Sequence, residues 1–278
     1  HLLSRRMPSL GAFLFPVGLI YLVYAFVLFR CFPFPEGLST WPLVVAVVSG
    51  FLRGIAVTIM LYTMIREEVS RVVPVVHTYP VFVAIMAVPL LGESLVSLEW
   101  LAIIMVVAGA VLVSIRRSPI GTGVWLGRSF NLLLGSSLLM ATADIASKYA
   151  LSYMSFWNMC SLSAFCMVFL FLLLSVRPSV FRELGGMKRR GSAIALIVFN
   201  ETLAFSGIIL SFSAMEKGLV SLVSTLVGTR PIFVFIYALV LSRISPVLLE
   251  GHSTKVALGL RLTATAMIVG GIAIIQLV

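Results

Sequence analysis

Two ionisable side chains stand in the middle of long apolar stretches, where charge is expensive. Arg53 lies near the centre of residues 42–65, and Glu201 near the centre of residues 192–214. An ionised group at mid-bilayer costs about 2.5–3.5 kcal/mol on insertion scales. Each therefore needs a partner, a wet cavity or a ligand. Gly50 and Gly54 flank Arg53 at a small-xxx-small spacing, which lets helices approach closely. Arg53 and Glu201 are expected to face each other, or a cavity, near the midplane. One chemistry open to them is exchange of a proton or a substrate carboxylate at Arg53, with Glu201 as counter-charge. The plainer alternative is a static buried ion pair that fixes helix packing. Asn200 and Thr202 flank Glu201 as further hydrogen-bonding groups.

A second set surrounds this pair. Asp144 and Lys148 are four residues apart, hence on one helix face. They either neutralise each other, with Lys148 snorkelling to the interface, or line a wall that takes a zwitterion: Asp144 the amine, Lys148 the carboxylate. Tyr79-Pro80 and Arg230-Pro231 occupy corresponding places in two apolar stretches. Proline removes a backbone donor and frees a carbonyl one turn back. A kink at both places suits a rocking gate, or merely a bend for packing. Arg230 is placed to bind an anionic group, and Tyr79 to stack or hydrogen-bond. His77 lies nearby, either titrating near neutral pH or simply hydrogen-bonded.

The elements that position these residues follow from composition. The 278 residues are 60% hydrophobic and 11% charged. Soluble domains carry about 25% charge, so this is an all-α, polytopic membrane protein. About 20 apolar residues span a bilayer. Nine stretches qualify: 8–29, 42–65, 72–91, 98–115, 129–151, 155–176, 192–214, 219–241 and 257–277. None alternates as a membrane β-strand would. Trp41, Trp100, Trp125 and Trp157 fall near span ends, as an aromatic belt requires.

Charge fixes the topology. The loops before span 1 and after spans 2, 4, 6 and 8 hold 14 of the 20 Lys and Arg, with Arg261 just inside span 9. The opposite loops hold only Arg30 and Lys217. By the positive-inside rule the first set is cytoplasmic. The net charge of +10 therefore speaks for membrane topology rather than nucleic acid. The three cysteines and three histidines are scattered, so no metal or other cofactor is expected.

The chain also repeats itself. Residues 61–66 match 212–217, Pro80 matches Pro231, Phe82 matches Phe233 and Glu99 matches Glu250, all at an offset of 151. Span 2 thus pairs with 7, 3 with 8, 1 with 6 and 4 with 9. Span 5 is left without a partner, which predicts a further helix before span 1. The expectation is ten helices in two copies of five, at 1–118 and 119–278. An odd number per copy inverts one copy against the other.

Several of these residues resemble a known family. Met64-Ile65-Arg66, the run Val69–Ala84 and Leu91-Gly92-Glu93 are similar to the drug/metabolite transporter superfamily, EamA type. So are Gly109, Met215-Glu216-Lys217, Val220–Ser224 and Arg230–Val234 in their order. Ala146–Ala150 resembles the family's first helix of a repeat, which ends near a lysine. One departure is Ser242-Arg243, near where the first copy has Gly92-Glu93. The resemblance implies two inverted five-helix repeats around a central cavity, and movement of small metabolites.

The expected function is a secondary transporter, a permease moving an amino acid or organic anion, driven by its own gradient or by protons. A multidrug-type exporter of hydrophobic cations is the alternative, and an integral membrane lipid-modifying enzyme a weaker one. Short loops poor in His and Asp, and Asp144 as the lone aspartate, argue against catalysis. No phosphate-binding GxxxxGK[ST] loop occurs. Partners are a small-molecule substrate and the lipid bilayer, with Ala266 and Gly270 offering packing or homodimer contacts. The short loops suggest a prokaryotic plasma membrane.

Overall fold

The computed structural model describes residues 9–67, 72, 75–114, 128–186, 190–230, 233 and 255–277. The described residues form ten helices and no strand. These are α1 (Leu10–Cys31), α2 (Thr40–Arg66), α3 (Tyr79–Leu91), α4 (Ser97–Ser114) and α5 (Arg128–Leu151). They continue as α6 (Phe156–Ser175), α7 (Pro178–Gly185), α8 (Arg190–Lys217), α9 (Val220–Val227) and α10 (Lys255–Leu277). Five are long and apolar enough to cross a membrane: α1, α2, α5, α6 and α8. Three shorter apolar helices lie in α3, α4 and α10. An all-helical build with several apolar spans is that of a polytopic membrane protein, because helices satisfy their own backbone in lipid.

Local chemistry sets several helix ends. Ser9 caps α1, its hydroxyl accepting from Ala12 N at 3.2 Å. Ser155 does the same for α6. Glu99 reaches back from the first turn of α4 to accept from Val96 N at 2.9 Å. Gly92 ends α3 with φ 68°, a left-handed turn that a side chain would strain. Amphipathic α7 was not among the nine expected spans; at eight residues it is far too short to cross a bilayer.

The chain divides into two compact units that cut across the sequence repeats. The first combines residues 1–66 with 142–218. In it α1 and α2 both pack along α6. The approach of α2 to α6 is as close as Gly50 and Gly54 foretold. A Cβ on Gly50 would lie 2.9 Å from Cys166 Cβ and 3.1 Å from Ser163 Cα. One on Gly54 would lie 2.6 Å from Leu170 Cδ1. Leu14, Met159, Phe171, Phe212 and Met215 fill the interior.

The second unit combines residues 67–141 with 219–278. Here α4 packs along α10, and α3 beside α9. Glycines interlock the first pair. A Cβ on Gly109 would meet Ala264 O at 2.8 Å, and one on Gly271 would meet Val106 Cγ2 at 2.6 Å. The buried face of α10 thus runs through Ala264, Ile268 and Gly271. Of the small-residue pair expected to pack, Gly270 faces Met105 while Ala266 is exposed.

Spans 3 and 8 correct one expectation. Among the described residues each turns where only a kink was expected. Span 3 turns at His77-Thr78 before α3 begins, and span 8 turns at Gly228-Thr229 after α9 ends. Pro80 stands in the first turn of α3, where its missing N–H costs nothing. A continuous helix would have needed that donor. Pro231, Trp125, Ser242, Arg243 and Glu250 lie outside the described residues.

Candidate functional site

The eight candidate residues fall into two clusters, one in each unit. In the first unit, α2 carries Arg53 and the second half of α5 carries Asp144 and Ser147. Arg53 Nη2 donates to Asp144 Oδ1 at 2.7 Å and to Ser147 Oγ at 3.3 Å. Ser147 continues to Ser49 Oγ at 3.3 Å. The guanidinium also lies 4.9 Å from the Phe212 ring centroid, over its face. Asp144 is buried, at 3% side-chain exposure, and Arg53 is largely covered, at 11%, so the two charges neutralise each other with little exposure to the surroundings.

This arrangement corrects two pairings expected from spacing. The salt bridge of Arg53 is with Asp144, where Glu201 was expected. Asp144 in turn is not spent on Lys148. The Lys148 ammonium donates to Met215 O at 2.6 Å and Gly218 O at 2.8 Å, closing the C-terminal end of α8. Carbonyls left open at a helix end attract a cation, and Lys148 is within reach of them. Glu216 complements it, its Oε1 accepting from Phe156 N at 3.1 Å at the start of α6.

Glu201 is buried, and Asn200 Nδ2 donates to its Oε1 at 2.9 Å. Tyr21, itself buried, interacts electrostatically with Glu201, Tyr24 and Arg53. It thereby links the acid to the Arg53 cluster. Tyr24 stacks on Phe205 at 4.8 Å and shares a 2.5 Å hydrogen bond with Thr202. Asn200, Thr202 and Ser206 are exposed on α8, although they lie within a span. Exposed polar groups at such depth suit water or solute better than lipid.

The second cluster is built on the two interruptions. Thr78 Oγ1 donates to Val75 O at 2.7 Å, and Thr229 Oγ1 to Leu226 O at 2.7 Å. The backbone N–H of each threonine bonds the same carbonyl, at 3.2 Å and 3.1 Å. Both threonines and both carbonyls are 151 residues apart, so the turn itself is duplicated. Ser137 Oγ adds a 3.3 Å bond to Val75 O. The freed backbone is thus satisfied locally, as a membrane demands.

These turns also meet. Tyr79 Oη donates to Ser224 O at 3.3 Å. A Cβ on Gly228 would approach Pro80 Cγ to 3.2 Å. His77 interacts electrostatically with Arg230. Its Nδ1 is buried and makes no hydrogen bond among the described residues. Arg230 is exposed. The turn that carries His77 and Tyr79 thus lies beside the one that leads to Arg230; the repeat offset marked Tyr79 and Arg230 only as corresponding positions.

Three residues escaped the sequence reading. Thr78 and Thr229 share the offset of the prolines, and that signal was available. Glu93 is the third. Its buried carboxylate accepts from Val220 N at 2.6 Å, Ser221 N at 3.4 Å and Ser221 Oγ at 2.5 Å. It closes the N-terminus of α9 from the turn after α3, a contact 127 residues away in sequence that local spacing cannot reveal. No group of three or more His, Cys, Asp or Glu among the described residues is placed to hold a metal ion.

Comparison with known proteins agrees with this build. A crystal structure of another protein superposes over 99% of this chain and 91% of its own, with a TM-score of 0.67. At 17% identity the likeness is one of fold alone. No curated relative matches the sequence. Residues 2–115 match the EamA-like transporter family, so this part of the chain is similar to membrane transporters of that family.

Proposed function

We propose that the chain is a secondary transporter for a small polar metabolite carrying a carboxylate, an amino acid or an organic anion. The observation that carries this reading is the duplicated Thr-centred turn. Two helices break at equivalent places of the two copies, and the breaks gather His77, Tyr79 and Arg230. Discontinuous helices in corresponding positions of two repeats are where transporters bind solute. Arg230 takes the carboxylate, and Tyr79 and His77 orient the rest.

Copies 1–118 and 119–278 are inverted, and alternating access is their rocking about the two breaks. Coupling is to protons at Glu201. Its hydrogen-bonding partner is the neutral Asn200, and Tyr21 joins it electrostatically to Arg53. Protonation of Glu201 removes a negative charge beside Tyr21 and leaves Asp144 as the counter-charge of Arg53, whereas loss of the proton gives Arg53 a second anion to turn toward. Asn200 is the hydrogen-bonding relay, and Lys148 holds the end of α8 in place. The membrane is a prokaryotic plasma membrane, with the basic loops cytoplasmic, and the chain works alone or as a homodimer.

The test is uptake into proteoliposomes of a panel of amino acids, organic anions and hydrophobic cations, with and without a pH gradient. Uptake of an anion or zwitterion that is stimulated by the gradient supports the reading. Uptake of hydrophobic cations alone overturns it in favour of a multidrug exporter.

A further inference from the structure

We propose that α7 is a docking surface for anionic phospholipid headgroups. The argument begins with position. α7 joins a span ending at Ser175 to a span beginning at Ile194, so connectivity holds it at a membrane face. Its orientation is fixed from within. Val180 and Leu184, one turn apart, are buried. Gly11 of α1 approaches so closely that a Cβ there would lie 2.7 Å from Val180 Cγ2. Phe181 meets Phe15 edge to face at 5.0 Å.

That anchoring turns a different face outward. Pro178 and Arg182 are exposed one turn apart, with Arg177 exposed just before them and Phe181 at the edge between the two faces. Leu173, Val176 and Phe181, between 48% and 64% exposed, form an apolar rim next to the arginines. An apolar rim beneath guanidinium groups matches the boundary between acyl chain and phosphate.

Charge selects the occupant. Residues 176–190 hold five basic side chains and one acid. The acid is turned away: Ser9 Oγ donates to Glu183 Oε2 at 2.5 Å. Neither Arg177 nor Arg182 joins an ion pair among the described residues. Guanidinium groups bind phosphate oxygens bidentately, and basic segments next to spans concentrate anionic lipid. The fit is to a lipid phosphate with its acyl chains on the rim, and it is independent of what the protein transports.

The experiment uses the full chain in detergent, titrated with phosphatidylglycerol or phosphatidylcholine. Native mass spectrometry reads bound lipid, and thermal unfolding reads stabilisation. Phosphatidylglycerol should bind more tightly than phosphatidylcholine. The double variant Arg177→Gln, Arg182→Gln should weaken phosphatidylglycerol binding about tenfold and leave phosphatidylcholine unchanged. The double lysine variant should keep most of it. Arg66→Gln, at the end of a different span, should have no effect. Equal affinity for the two lipids in the unmodified protein overturns the proposal. So does a folded glutamine variant with undiminished binding, an equal loss in Arg66→Gln, or full competition by inorganic phosphate. If the double variant does not fold, Arg182→Gln and a salt titration replace it, and binding indifferent to both is the overturning result.

Discussion

Arg53 and Asp144, 91 residues apart in sequence, form a 2.7 Å ion pair between two membrane-spanning helices. Removing one partner strands the other charge in a low dielectric. Asp144→Ala should therefore destabilise the protein by about 3–5 kcal/mol. Adding Arg53→Met should restore part of that loss, giving a coupling of about 0.5–3 kcal/mol in a double-mutant cycle. Chemical denaturation in detergent measures all three variants. Additive losses would mean that the bridge contributes nothing to folding.

Glu201→Gln keeps the size and the hydrogen-bonding capacity of the side chain but cannot exchange a proton. Uptake by this variant should lose its response to a pH gradient, while counterflow exchange of substrate persists. Parallel flux measurements in proteoliposomes check it. A variant that still concentrates substrate along the proton gradient removes Glu201 from the coupling.

Thr78→Val and Thr229→Val each delete one hydroxyl from the duplicated turn with little change in shape. Each should cost about 0.5–1.5 kcal/mol, and the two costs should be similar because the geometry is. Uptake should fall in both. Thermal unfolding and initial uptake rates together test this, and an effect confined to one copy would argue against equivalent roles.

Glu93→Ala removes the acceptor for three donors at the start of α9. Charge-assisted bonds contribute about 1.5–3 kcal/mol, so a loss of that order is expected, with Glu93→Gln falling between. Hydrogen exchange at Val220 and Ser221 should accelerate first. Unchanged protection there would show that the carboxylate is dispensable.

Glycine packing gives a signed pair. Gly50→Ala places a Cβ 2.9 Å from Cys166 Cβ and should destabilise by about 1–3 kcal/mol. Gly135→Ala meets nothing within 4 Å and should stabilise α5 by about 0.5–1 kcal/mol. Denaturation midpoints of the two variants should move in opposite directions.

The helical, membrane-spanning build was legible because charge depletion and 20-residue apolar runs have no other solution. The close α2–α6 approach was legible in Gly50 and Gly54, and the equivalence of the two turns in the offset of their prolines. Pairing was not legible. Spacing gave Asp144 to Lys148, yet both belong to long-range contacts, one across to α2 and one to the end of α8. Sequence distance ranks neighbours on one helix and is silent about which helix lies opposite. The same blindness hid Glu93, whose partners lie in the other copy. The interruptions were half visible: proline announces a missing donor, but the threonine that satisfies the freed carbonyl has to be seen in place.

The two interruptions share a frame and differ in what the frame displays. Threonine and the carbonyl three residues back hold each bend, and neither His77 nor Tyr79 nor Arg230 supplies those bonds. The bends are thereby held without these side chains, although Tyr79 also ties its turn to Ser224 O. The same bend carries an aromatic phenol at Tyr79 and a guanidinium at Arg230. A replacement of the Arg230 side chain therefore leaves the bonds that hold the bend in place.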